Sequence, residues 1–139
     1  MSRVVSLRPE LNGQLFRPPE NERVWMIDGG QRRWITPAAF GSLFVSDPKI
    51  ASFDVAPIAE GNPVADGAML VKAPDDPRIF LIDRNPAGRP AIFKRHVVGM
   101  DVLRLYQFST SSMVTLPAIV LDSVPTGDPL VGPLTSTDK

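Results

Sequence analysis

The feature that most constrains this chain is that it repeats itself. VWMID at residues 24–28 returns as IFLID at 79–83, and RRWI at 32–35 returns as KRHV at 94–97. In each copy an apolar strand leads through a turn to a strand with a basic start, and then to a short amphipathic helix. A unit of about 60 residues would bury only roughly 60% of the surface its unfolded chain exposes. Two such units in a chain of 139 residues are therefore expected to share one core.

The motifs around the repeat extend it. Connectors with a proline, an aliphatic residue and a closing glycine occur as LRPELNG (7–13), IAEGNPVADG (58–67) and VPTGDPLVG (124–132), the last two matching best. Short apolar stretches at 14–16 and 68–71 each run into a proline-rich polar turn, RPPENER and KAPDDPR. Both faces of VWMID and IFLID are apolar, which marks central, doubly covered strands. Asp28-Gly29-Gly30-Gln31 predicts a tight hairpin, because the two glycines can take the positive φ of a primed turn. Its counterpart at 83–93 is longer and carries Pro86 and Pro90. Thr36 and Pro37 predict a helix start as N-cap and first helical residue. Phe40, Leu43 and Phe44 form its apolar stripe, echoed by Val102, Leu105 and Tyr106. A strand is expected at 4–7, and a last strand in each copy at 50–58 and 116–124, at sheet edges because Pro48, Pro57 and Pro117 fall there.

The expected fold is mainly β, bordering on α+β: two degenerate β-β-β-α-β repeats of pseudo-twofold symmetry around one core, with two short peripheral helices. It forms a single domain over 1–139, with repeats at about 7–58 and 59–132 and a flexible tail from 133.

The composition narrows function by exclusion. Fifteen basic residues balance fifteen acidic ones, so the chain as a whole does not offer a phosphate backbone the positive surface it needs. No nucleic-acid partner is expected. Cysteine is absent, which removes thiolate catalysis and most structural zinc sites. The most apolar run, 113–121, is interrupted by Thr115 and Pro117 and falls short of the roughly 20 residues a membrane helix requires. No membrane insertion is expected. The opening MSRVVSLRPELNG has no apolar stretch long enough for a signal peptide. A cytoplasmic location, or export by a non-classical route, is the corresponding expectation.

VWMIDGGQRRWITPAAF resembles a repeat of bacterial proteins, often surface-associated or secreted. Its pattern is aliphatic-aromatic-leucine-isoleucine, a glycine turn, a basic pair, one residue, then isoleucine and a short helix ending in phenylalanine. The second half keeps IFLID and KRHV without the tight glycine turn. The resemblance implies a non-catalytic repeat module and supplies no catalytic residues.

Four groups of residues carry candidate chemistry. Asp28 and Asp83 end equivalent strands, and meeting across a twofold they would form a carboxylate dyad sharing a proton. Gly29 and Arg84 stand where such a dyad has hydroxyl residues, so strand-ending turn residues are the preferred reading. His96 is the only histidine; no ligand spacing makes it a metal site, and no G-x-S-x-G supplies a nucleophile for it to activate. No phosphate loop is present, since Gly30 leads into a strand rather than a helix. The remaining constellation is Arg32 and Trp34 with their echo Lys94 and His96. Alternation puts each pair on one face of its strand, with Arg33, Ile35, Arg95 and Val97 on the core face. A ring beside a cation, presented twice, suits a glycan, an acidic peptide or a protein partner; packing of Trp34 under a neighbouring loop is the alternative. Ile92 and Phe93, at the end of the long turn, are candidates for contact with a partner or a second copy.

The expectation is a non-catalytic binding or assembly module without metal or cofactor. A structural oligomerising subunit and a small hydrolase using Asp28, Asp83 or His96 are the alternatives.

Overall fold

The structure, a computed structural model, describes residues 5–84 and 91–133. Strands β1 (Leu15–Arg17), β2 (Trp25–Asp28), β3 (Gln31–Trp34) and β4 (Ala51–Ser52) form one sheet in the order β3-β2-β1-β4. Strands β5 (Met69–Lys72), β6 (Ile79–Arg84), β7 (Ile92–Val97) and β8 (Val114–Thr115) form a second in the order β7-β6-β5-β8. Both sheets are mixed: three antiparallel strands, with a two-residue strand added in parallel beside the first. Helices α1 (Pro37–Leu43), α2 (Gly99–Leu105) and α3 (Ala118–Asp122) complete a mainly β architecture.

The central strands are where the apolar runs put them. Every residue of β2 is buried, as are four consecutive residues of β6. Gly29 and Gly30 close the β2–β3 hairpin at φ of 61° and 79°, the left-handed region a primed turn demands. Thr36 caps α1, its hydroxyl accepting from the Ala39 N–H at 3.4 Å, and Pro37 fills the first turn, where no donor is needed.

The expected last strands are corrected. Of residues 50–58 only Ala51 and Ser52 pair as a strand; 116–124 is mostly α3. Pro117 is the reason in the second case. It has no N–H to give a ladder, and its carbonyl accepts from Val120 N at 3.0 Å and Leu121 N at 3.1 Å, turning the chain into a helix. Leu121 is buried while Ile119 lies 80% exposed. The chain thus has three helices among the described residues rather than two. Of the strand expected at 4–7, residue 4 lies outside the described residues, and 5–7 form no strand of their own; Ser6 makes an isolated bridge to Ile58. Of the long turn, 85–90 lie outside the described residues, as do 134–139 of the tail.

Alternation along the strands builds three apolar clusters. Leu15, Met26 and Ile35 from the first sheet join Leu70, Leu81 and Val97 from the second, together with Leu43, Phe44, Tyr106 and Phe108, in one core drawn from both halves. The other face of the first sheet buries Phe16, Trp25 and Ile27 against Val55 and Ile58. The other face of the second buries Val71, Phe80 and Ile82 against Leu121. Two backbone bonds tie the helix ends across the halves, Ser109 N to Leu43 O at 2.7 Å and Val45 N to Gln107 O at 2.9 Å.

Candidate functional site

The core-facing side of each sheet carries an aspartate and an arginine. In β2 and β3, Met26 pairs with Arg33; in β6 and β7, Leu81 pairs with Arg95. Period-two alternation puts Asp28 on the face of Met26, and Asp83 on the face of Leu81. The shared core therefore ends in four buried charges, Asp28, Arg33, Asp83 and Arg95.

These four close on one another. The Arg33 guanidinium bonds both Asp83 oxygens at 2.8 Å, and its Nη1 also reaches Asp28 Oδ2 at 2.8 Å. The Arg95 guanidinium takes both Asp28 oxygens at 2.5 and 2.9 Å, with a further bond to Asp83 Oδ2 at 3.2 Å. Each arginine thus grips the aspartate of the other half with two nitrogens and that of its own half with one. The forked pairing is the stronger geometry for guanidinium and carboxylate. The remaining donors go to the connectors: Arg33 Nε to Asn62 O and Arg95 Nε to Asp128 O, both at 2.7 Å, and Arg33 Nη2 to Pro63 O at 3.3 Å. Arg33 thereby uses all five of its N–H groups.

Burial opposes the charge of Asp28, but the hydrogen bonds and charges of Arg95 and Arg33 outweigh it and hold its carboxyl below the usual range. Burial likewise works against Arg33 and Arg95, and the two carboxylates outweigh it in each case, raising both arginines. The two aspartates do come together, as a protease-like dyad requires. They do so with a guanidinium from each half bridging them, so each carboxylate is engaged by arginine donors rather than by the other aspartate. A cleft of about 400 Å³ opens beside this cluster, bordered by Gly29, Gln31, Asn62 and Phe93.

The aromatic and basic positions lie on the opposite faces, and the structure places them at two separate sites. Arg32 stacks on Trp25 at 4.5 Å, donates to Ile58 O at 2.9 Å and pairs with Glu60 at 3.6 Å. Trp34 is partly buried against the cluster of Phe16 and Ile27, with Arg23 over its ring at 5.1 Å. On the second sheet the Lys94 ammonium donates to Leu121 O at 3.1 Å and Val124 O at 2.6 Å, and lies 5.7 Å from the Phe80 ring. Lys94 is thus a buried tie to α3. His96 stays half-buried, its ring 5.6 Å from Phe80. Ile92 is 42% exposed, whereas Phe93 is half-buried with its ring against Gly127.

His96 borders a cleft of about 770 Å³ on the outer face of the second sheet. Phe80 and Lys94 lie at its floor, α3 forms one wall through Ala118 and Asp122, and the 73–78 turn forms another. In that turn Asp76 holds Arg78 in a fork, with Nη2 to Oδ2 at 2.6 Å and Nε to both oxygens at 3.0 and 3.1 Å. These bonds lower the Asp76 pKa to about 2. Neither α3 nor the Asp76–Arg78 fork was anticipated from sequence. The fork has a local signal, an aspartate two residues before an arginine in a proline turn; the wall formed by α3 has none beyond Pro117.

Among the described residues no cluster of histidine and carboxylates has the arrangement of a metal site, and no helix is long and apolar enough to cross a membrane. No protein-family model, curated protein or solved structure matches the chain.

Proposed function

We propose that this chain is a non-catalytic binding or assembly module made of two degenerate β-β-β-α-β copies, kin to the bacterial repeat its first half resembles. The observation that carries the reading is the reciprocal charge cluster. The residues best suited to acid–base work, Asp28 and Asp83, are each held by both guanidiniums. A carboxylate saturated with charged donors is a weak base, and an arginine does not act as an acid near neutral pH. The same cluster joins the halves, so its role is to fasten them.

The repeat reading is supported by more than the motif. Both sheets have the same strand order, and matching carbonyls in the two connectors receive Arg33 and Arg95. The bridges Arg32 to Glu60 and Ile35 to Val64 in one half parallel Lys94 to Thr126 and Val97 to Leu130 in the other. The assembly side of the reading is favoured by exposed Ile92, Ile119 and Val120, apolar groups that a second copy or a protein partner would cover.

A broad hydrolase screen with Asp28→Asn and His96→Ala as controls tests the non-catalytic part. No turnover above background is expected. An activity that falls more than about a hundredfold in either folded variant, the loss typical of removing a general acid or base, would establish an enzyme instead. Sedimentation at rising concentration tests assembly, and a strictly monomeric chain assigns the exposed residues to another partner or to none.

A further inference from the structure

We infer that the outer cleft of the second sheet is a binding site for a neutral carbohydrate, with His96 and the Asp76–Arg78 fork as its recognition groups. The inference rests on the binding-module reading above and names a ligand class and a place for it.

The comparison between the halves locates the site. On the first sheet the outward cross-strand pair is Trp25 with Trp34; on the second it is Phe80 with His96. The tryptophan pair fills its face, packed with Phe16, Val55 and Ile58. Exchanging two indoles for a phenyl and an imidazole removes volume from the second face, and the cleft of about 770 Å³ lies there. The polar turn changes in step. Asn21 accepts from Arg23 N at 2.9 Å, and Asp76 accepts from Arg78 N at the same distance. Only the aspartate also binds the arginine side chain in a fork. The second half thus has space, a half-exposed ring edge and a planar array of acceptors and donors together.

The chemistry selects the ligand. A sugar hydroxyl donates and accepts at once, so it is matched by a carboxylate and a guanidinium side by side. The opening carries Asp75, Asp76 and Asp122 together with Arg78 and Lys94, so a ligand of either sign meets like charge there. A ligand without charge leaves both partners of the fork satisfied. A peptide joining as an extra strand needs a free sheet edge. The outer edge of β7 is already taken, by Lys94 N to Pro125 O, Gly127 N to Lys94 O and Leu130 N to His96 O at 2.8 to 2.9 Å. The cleft opens on the face of the sheet instead.

The test is the whole chain on an array of neutral and acidic glycans, followed by calorimetric titration of the retained neutral oligosaccharides. Wild type is compared with His96→Trp, which refills the face as Trp34 does, and with Arg78→Gln, an exposed change that spares the core. Thermal melts confirm that each variant is folded. Retention of neutral glycans, weakened at least tenfold by both changes, is the expected result. Glycan binding unaltered in both folded variants would overturn the location while leaving a binding module intact. A blank array, or retention of acidic glycans only, would overturn the ligand class. Turnover of a bound glycan would instead overturn the non-catalytic reading, and its loss in His96→Trp would keep the cleft as the site.

Discussion

Replacing Asp28 by asparagine keeps the shape of the side chain and removes one charge from the four-residue cluster. The consequence follows from the geometry. Arg95 loses the carboxylate it holds with two nitrogens, Arg33 loses one of its two acidic partners, and the cluster acquires an unbalanced positive charge. The amide nitrogen of the new asparagine also points a donor at guanidinium donors. Removing one partner of a buried ion pair typically costs about 3–5 kcal/mol, against a total stability of about 5–15 kcal/mol for a domain. With a urea slope of about 1.5 kcal/mol/M, a loss of 4 kcal/mol moves the midpoint by roughly 2–3 M. Urea titration followed by tryptophan fluorescence reads that shift, since Trp25 and Trp34 pack in the outer cluster of the first sheet and lose those surroundings on unfolding. The double variant Asp28→Leu/Arg95→Met removes a neutral forked pair together and leaves Arg33 gripping Asp83. Its cost is expected to fall below the sum of the single changes by about 2–3 kcal/mol, at the high end of coupling between contacting residues. A midpoint shift below about 0.5 M for Asp28→Asn, or a strictly additive double variant, would refute the idea that these charges fasten the halves.

Two further outcomes follow from the same structure. Because the Asp28 pKa is lowered on folding, its charged form contributes stability that is present above the unfolded carboxylate value of about 3.9 and is lost as pH falls through the lower folded value; urea midpoints measured from pH 7 to pH 3 should hold and then drop below about pH 4, less steeply in Asp28→Asn. Gly127→Ala would push a methyl into the half-buried Phe93 ring, whereas at Gly61 it meets the flexible end of Gln31, with Oε1 at 2.6 Å. Overpacking of this kind costs about 1–3 kcal/mol, so Gly127→Ala should lower the midpoint clearly and Gly61→Ala hardly at all, and the reverse order would show that Phe93 yields freely.

Much of this architecture is legible in the amino-acid order because it is set within a few residues. The doubly apolar VWMID and IFLID become central strands, Gly29 and Gly30 make the turn, and Thr36 with Pro37 starts a helix. Alternation also places Arg33 and Arg95 on the face of Ile35 and Val97. What alternation leaves open is which groups neutralise them. Two arginines facing a core require two buried carboxylates, and Asp28 and Asp83 are the acidic residues on those same inward faces, so charge balance was a usable signal for the whole cluster. The last element of each half is less legible. Pairing of Ala51 or Val114 with a strand depends on neighbours distant in the chain, and AIVLD after Pro117 is β-branched enough to suggest a strand. A buried Leu121, received by the apolar face of Phe80 and Ile82, decides for one turn of helix.

The position of the charges also bears on where the two halves can diverge. Any change at Asp28, Arg33, Asp83 or Arg95 strands a buried partner in the other half, because the forked bonds run between halves. A change on an outward face disturbs only its own small cluster, since the groups of Phe16 and Phe80 each draw on one half. The inward face therefore resists substitution reciprocally, and the outward faces vary independently. On the outward faces Trp25 stands against Phe80 and Trp34 against His96, whereas inward the aspartates and arginines stay in place and the apolar residues differ only in kind, Met26 against Leu81 and Ile35 against Val97. A binding specificity confined to one half belongs on an outward face, and the cleft beside His96 lies on such a face.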